Sequence, residues 1–253
     1  MNLTVANSCG SADVRLTRFQ FRICTALGLQ QVHDAQVHLW HACPNGDDVD
    51  AEELLSLLSE DERHRMARFR FHGDRRDFAF ARGMLRTVLA SYLDCDPGEV
   101  RFSYSRHGKP ALTGKHAESR LQFNLSHTAG YVLLAVCFDR EVGVDVERLR
   151  ADLDVESLAK RFFSAAEQDA MSRLRPGLRA RAFFHCWTRK EAFLKAKGGG
   201  LMLPLEDFDV SLEPDEENID LVTRPEAHEA EQWRILNVPV PEEYAAAVVV
   251  SAR

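Results

Sequence analysis

The chain has 253 residues, 45% of them hydrophobic and 28% charged, which suits a soluble globular protein of one large or two small domains. A formal net charge of -7 and a pI near 5.8 argue against nucleic acid as a bulk partner, while a local basic pocket for a small phosphorylated ligand stays compatible with that total. The apolar runs around 131–138 and 245–250 are far too short to cross a bilayer, and six scattered cysteines without a CxxC pair read as reduced thiols, so the expected location is the cytoplasm with no membrane contact.

Residues 1–34 carry Arg15, Arg18 and Arg22 without periodicity and read as an extension. Residues 36–42 alternate Val37 and Leu39 with outward His38 and Trp40, which predicts a strand. A turn follows at Pro-Asn-Gly-Asp-Asp (44–48), then a helix over 51–58 and a capped helix start at Ser-Glu-Asp-Glu (59–62). The segment 62–71 is strongly basic, and 77–93 has apolar positions at helical spacing. Asp-Pro-Gly (96–98) ends that helix, 100–104 alternates as a strand, and Arg-His-Gly-Lys-Pro (106–110) turns the chain. Residues 121–125 and 131–138 read as two strands joined by a turn containing Ser126 and His127.

A new strand is expected over 141–147, and helical spacing returns over 155–163. The run 181–197 is an aromatic-rich core helix, with Phe183, Phe184, Trp187 and Phe193, stopped by the glycines at 198–200. An acidic loop at 213–218 and strands over 233–238 and 244–251 close the chain. Strand, long aromatic helix and closing apolar strand thus occur twice, about 100 residues apart. That order predicts an α+β pseudo-dimer of two similar lobes, 35–140 and 141–253, each a small antiparallel sheet packed with helices, with a cleft between them.

Two clusters carry candidate chemistry. In Gly-Val-Asp-Val-Glu (143–147), Val144 and Val146 face the core while Asp145 and Glu147 share the opposite face of a strand. Paired carboxylates repel, and protonation, basic neighbours or a hard divalent cation such as Mg2+ relieves them. Glu191 and Lys195 stand four apart on one helix face; Glu191 joining the acid pair would complete a three-carboxylate magnesium seat with a lysine beside it. Each cluster also has a plainer reading, as the wet end of a strand and as an exposed ion pair. Arg65, Lys109, Ser126 and His127 are phosphate-donor candidates, although each such residue taken alone is more often a solvated turn or helix residue.

Taken in order, Gly-Lys-Pro (108–110), Asn-Leu-Ser-His (124–127), Gly-Val-Asp-Val-Glu (143–147), Phe-Phe-Ser-x-x-Glu (162–167) and Trp-Thr-Arg-Lys-Glu-Ala-x-x-Lys-Ala (187–196) closely resemble the 4′-phosphopantetheinyl transferases of the surfactin-synthetase-activating type. The resemblance spans residues 36–252 and leaves the first 34 outside. It implies a fold that binds coenzyme A and Mg2+ between the lobes and transfers phosphopantetheine to a serine of an apo acyl or peptidyl carrier protein. It further implies metal ligation by Asp145, Glu147 and Glu191, and catalytic roles for Glu191 (proton acceptor) and Lys195 (phosphate stabiliser). Arg65, Lys109, Ser126 and His127 are implied as coenzyme A contacts, and Glu167 as a residue at the metal's edge. A hydroxyl residue that some relatives place near Asp77-Phe78 is missing here, which bears on coenzyme A affinity.

For the carrier, Leu153, Val155, Leu158 and Phe162 form an apolar strip that reads either as a docking surface or as a core-facing stripe, with Arg173, Arg175 and Arg179 nearby. Two other functions fit the same residues: a non-catalytic coenzyme A or carrier-binding module, and a magnesium-dependent phosphohydrolase. A monomer is the default, since the duplication already supplies two lobes.

Overall fold

The computed structural model describes residues 37–44, 55–198, 204–214 and 219–252. The extension at 1–34, most of the 44–48 turn, the start of the 51–58 helix, the glycines after 198 and the tip of the acidic loop lie outside the described residues.

Two three-stranded antiparallel sheets organise the chain. In the first, β1 (His38–Ala42), β5 (Tyr131–Phe138) and β4 (Leu121–Thr128) lie in the order β1-β5-β4. In the second, β6 (Val142–Arg148), β10 (Tyr244–Ser251) and β9 (Trp233–Asn237) lie in the order β6-β10-β9. Each lobe therefore places its first strand beside its last, with the penultimate strand on the far side. Between those strands the first lobe inserts α1 (Glu60–Ala67), α2 (His72–Leu93) and a ribbon of β2 (Phe102–Tyr104) with β3 (Pro110–Leu112). The second inserts α3 (Val155–Phe162), α4 (Ala165–Arg173), α5 (Pro176–Lys197) and a ribbon of β7 (Phe208–Val210) with β8 (Leu221–Thr223). The pseudo-dimeric α+β arrangement expected from the repeated order is present.

The apolar runs of β5 and β10 follow from burial on both faces, which removes any need for polar alternation. Val132, Leu134 and Val136 meet Phe78, Met84, Leu85 and Leu89 of the α2 side. Leu133 and Ala135 turn the other way, joining Val37 and Leu39 against Val142, Val144, Val146, Ala246 and Val248 of the second sheet. Ala245, Ala247 and Val249 pack on Phe183, Phe184 and Phe193 from α5. The sheets thus sit face to face with one long helix on each outer side, and burying each large side chain contributes about 1.5–3 kcal/mol.

Three expectations shift. Ser126 and His127 are strand residues rather than turn residues: β4 runs to Thr128, pairs Ser126 with Leu133 and His127 with Val132, and turns through Ala129 and Gly130 (φ 80°). Only the two-residue connection is needed because glycine adopts the left-handed conformation without a Cβ clash. Helix α2 begins at His72, before the apolar spacing starts, because residues 72–76 all face solvent and leave no periodic signal. Helix α5 begins at Pro176, a first-turn position where proline's missing N–H is harmless. The apolar strip of Leu153, Val155, Leu158 and Phe162 packs against the second lobe's core, so the core-facing reading holds for it.

Among the described residues no helix is long and apolar enough to cross a membrane. Among the described residues, Cys43, Cys95, Cys137 and Cys186 form no disulfide.

Candidate active site

The site begins where α5 rests on β6. A Cβ added to Gly143 would lie 2.1 Å from the Ala192 carbonyl oxygen and 2.3 Å from the Ala196 amide nitrogen, so only glycine lets the helix backbone come this close. Gly143, Asp145 and Glu147 occupy one face of β6, and Val142, Val144 and Val146 the other. The helix thereby holds half-buried Glu191 and Lys195 against the strand's acidic face. Lys195 Nζ donates to Asp145 Oδ1 at 2.5 Å, to Ser126 Oγ at 3.0 Å and to the Val144 carbonyl at 3.2 Å.

Strand β4 supplies the opposite wall through the side chains that alternate toward β6. Asn124 Oδ1 accepts from the Val144 amide at 2.9 Å, Ser126 Oγ lies 3.4 Å from the Val146 amide and donates to Asp145 Oδ1 at 2.8 Å, and Thr128 Oγ1 lies 3.5 Å from Glu147 Oε2. Edge strands from the two lobes are therefore stitched by side chains instead of by a backbone ladder. The site lies on that seam. The sequence reading gave no role to Asn124 or Thr128, although their spacing of two from Ser126 was the available signal.

The acidic groups share an electrostatic field. Burial, and then the charge of Asp145, push the Glu147 carboxyl up to about 6 and raise that of Glu191, with Lys195 opposing both shifts. Asp145 is 4% exposed, and its second oxygen, Oδ2, is buried without a hydrogen-bond partner. An orphaned carboxylate oxygen beside two carboxyls that resist ionising is a donor set suited to a hard divalent cation. As placed, however, no three carboxylate, histidine or cysteine side chains among the described residues stand close enough to hold a metal ion. The Lys195 ammonium holds Asp145 Oδ1 and leaves Oδ2 for another partner.

The phosphate-donor candidates divide among three positions. Ser126 points to Asp145. Lys109, on the turn made possible by left-handed Gly108, donates to the Ala196 carbonyl at 3.2 Å and lies 3.4 Å from Glu141. Its ammonium pKa is lowered by burial, with Glu141 opposing. A cleft of about 170 Å³ opens there, lined by His107, Lys109, Asn124, Lys195 and Gly198. His127 emerges on the α2 side of β4. Its imidazole is held below its usual pKa by crowding against protein and then by Lys195, with Arg82 and Arg65 adding to the effect and Asp77 opposing it. Arg65 is exposed on α1 and lies over the Phe78 ring at 5.7 Å.

Glu167 is committed elsewhere. One oxygen accepts from the Ser164 amide at 2.9 Å; the other accepts from the Val210 amide at 2.9 Å and pairs with Lys190 at 2.8 Å. Its position is that of a buried structural acid.

A duplicated α+β fold, with acids and a lysine gathered on the seam between its lobes, is the class these observations define. Residues 141–249 match the family model described as the 4′-phosphopantetheinyl transferase superfamily, and residues 43–139 match the one described as 4′-phosphopantetheinyl transferase, N-terminal. The chain is 40% identical over 216 residues to 4′-phosphopantetheinyl transferase HetI of Nostoc sp., covering 85% of this chain and 88% of that protein. It is 32% identical over 165 residues to 4′-phosphopantetheinyl transferase Sfp of Bacillus subtilis, covering 65% of this chain and 70% of that one. The chain belongs to the 4′-phosphopantetheinyl transferase superfamily and is of the Sfp type.

Proposed function

We propose that the protein is a holo-carrier-protein synthase that moves 4′-phosphopantetheine from coenzyme A to a serine hydroxyl of an apo acyl or peptidyl carrier protein. The observation that carries this reading is the cluster of Asp145, Lys195 and Ser126 on the interlobe seam, beside Glu191 and Glu147. In the reaction the serine oxygen bonds to the β-phosphorus of coenzyme A and the bond to the bridging oxygen breaks, releasing adenosine 3′,5′-bisphosphate.

Glu191 is suited to accept the serine proton, since burial and Asp145 raise its proton affinity toward the working range of a base. Lys195 offers a positive charge to the phosphate oxygens once substrate competes with Asp145 for it. Lys109, at the cleft mouth, and Arg65 with His127, on the α2 side, are the proposed grip on the nucleotide phosphates. Asp145, Glu147 and Glu191 are the proposed Mg2+ ligands; when bound, the cation neutralises charge on the diphosphate.

The proposed domain limits are 35–140 and 141–253, preceded by an extension over 1–34, and the proposed setting is a cytoplasmic monomer. Incubation with coenzyme A, Mg2+ and an apo carrier protein, followed by mass spectrometry, tests the activity. Gain of one phosphopantetheine supports transfer. Retained coenzyme A binding without gain supports a binding module, and nucleotide breakdown without modified carrier supports a hydrolase.

A further inference from the structure

Both lobes contain the same buried clamp. In the first, Ser59 precedes α1, and Glu62, the helix's third residue, accepts from the Ser59 amide at 3.0 Å. Its carboxylate pairs with Arg82 Nε at 2.9 Å and Arg86 Nε at 2.7 Å. In the second lobe, Ser164 precedes α4, and Glu167, again the third residue, accepts from the Ser164 amide and pairs with Lys190. Arg86 and Lys190 occupy the same position, counted from the start, in helices of 22 residues each.

The cations also share targets. Arg86 donates to the Pro97 and Val100 carbonyls at 3.1 and 2.8 Å, just before the first ribbon. Lys190 donates to the Leu205 and Phe208 carbonyls at 2.6 and 2.5 Å, where the second ribbon starts. Glu62, Arg86, Glu167 and Lys190 are at most 2% exposed, and Arg82 is 7% exposed. A buried ion pair is a costly way to gain stability, since well-packed apolar residues often do as well, so its recurrence in both lobes calls for another role.

The clamps differ in what they adjoin. Lys190 immediately precedes Glu191 on α5, one turn before Lys195. Arg82 instead extends the first clamp to the Tyr104 hydroxyl, and its charge acts on His127.

We propose that Glu167 and Lys190 are positioning residues that fix the rotation of α5, and so of Glu191 and Lys195 against Asp145, while Glu62, Arg82 and Arg86 fix the substrate-gripping face of Arg65 and His127. A helix with side chains is about 10–12 Å across, so a rotation of roughly 20° moves a side-chain tip by ~2 Å. A misplacement of about 1 Å costs on the order of 10²-fold in rate. The inference rests on the transferase reading and assigns one clamp to kcat and the other to substrate binding.

The test uses the full chain below the melting temperature of every variant, with transfer kinetics on an apo carrier and calorimetric titration of coenzyme A. Glu167→Gln, which keeps the capping acceptor, is expected to lower kcat by about 10- to 100-fold with KM for coenzyme A changed less than about twofold. Glu167→Gln with Lys190→Met leaves no unpaired buried charge and is expected to keep the kcat defect even when its melting temperature returns to that of the parent. Glu62→Gln is expected to raise KM and Kd for coenzyme A by about tenfold or more with kcat held within about twofold. Lowered melting temperatures with unchanged kinetics per folded molecule overturn the inference, as does a kcat restored in the double variant. Should the parent chain transfer nothing, the transferase reading fails; the coenzyme A titration still decides, because a Kd unmoved by Glu62→Gln overturns the division of labour.

Discussion

Lys195 Nζ lies 2.5 Å from Asp145 Oδ1, with the lysine side chain 30% exposed and the aspartate 5%. The pair joins the last turns of α5 to the middle of β6, and it places a movable positive charge where a divalent cation and a diphosphate are proposed to bind.

Replacing Lys195 by Met leaves the Asp145 carboxylate buried and without its counter-charge. Breaking such a pair costs about 3–5 kcal/mol when fully buried, and the partial exposure of Lys195 reduces this to about 2 kcal/mol. Transfer is expected to fall at least ~10²-fold. Mg2+ is expected to raise the melting temperature of this variant more than that of the parent, because the cation takes over the missing charge; equal shifts would argue against a metal at Asp145.

Glu191→Gln is expected to abolish transfer while leaving the fold intact. The substitution removes a charge that burial, and then Asp145, already disfavour, so the melting temperature should hold or rise. Normal turnover by this variant, read from the mass of the carrier, removes Glu191 from the mechanism.

Lys109→Ala is expected mainly to raise the coenzyme A concentration needed for half-maximal rate. The side chain also meets the Ala196 carbonyl at the end of α5, a contact worth about 1 kcal/mol. An unaltered coenzyme A requirement places Lys109 outside the binding site.

The raised pKa of Glu147, about 6, gives a pH test. Its folded value lies above the ordinary glutamate value, so its contribution to metal-free stability is full below that ordinary value and is lost as pH rises through about 6. A divalent cation competes with this proton. Mg2+ affinity, measured calorimetrically, should therefore rise as pH increases through about 6, and saturating Mg2+ should suppress this group's share of the acid-side stabilisation. Affinity independent of pH across this window counts against Glu147 as a ligand.

Gly143→Ala is expected to destabilise the second lobe by about 3 kcal/mol or more, because the added methyl meets helix backbone that cannot rotate away. Any folded fraction should lose transfer as α5 is pushed off β6. A thermal melt and a transfer assay check both effects, and a parent-like melt would mean the helix can withdraw at little cost.

Much of the fold was legible locally. The alternation of Val37 and Leu39, the capping box at Ser59 and Glu62, and the double-faced apolar run of 131–138 each follow from one element and its period. Asp145 and Glu147 were assigned to one strand face for the same reason. Ser126 and His127 were misplaced because Ser-His-Thr resembles turn chemistry, and their pairing to Leu133 and Val132 is a cross-strand property. The start of α2 was missed because an all-exposed first turn carries no hydrophobic spacing.

Sequence order by itself predicted the two-lobed plan, and the motifs carried the family resemblance and nominated the candidate residues, since residue type and period are local quantities. Only the folded chain decided that Lys195 meets Asp145, that Asn124, Ser126 and Thr128 line the seam, and that Glu167 is taken by Lys190. Those partners lie between 19 and 50 residues apart, or are separated by the interlobe packing, and contacts at such distances are set by how β6 and α5 close on one another over Gly143.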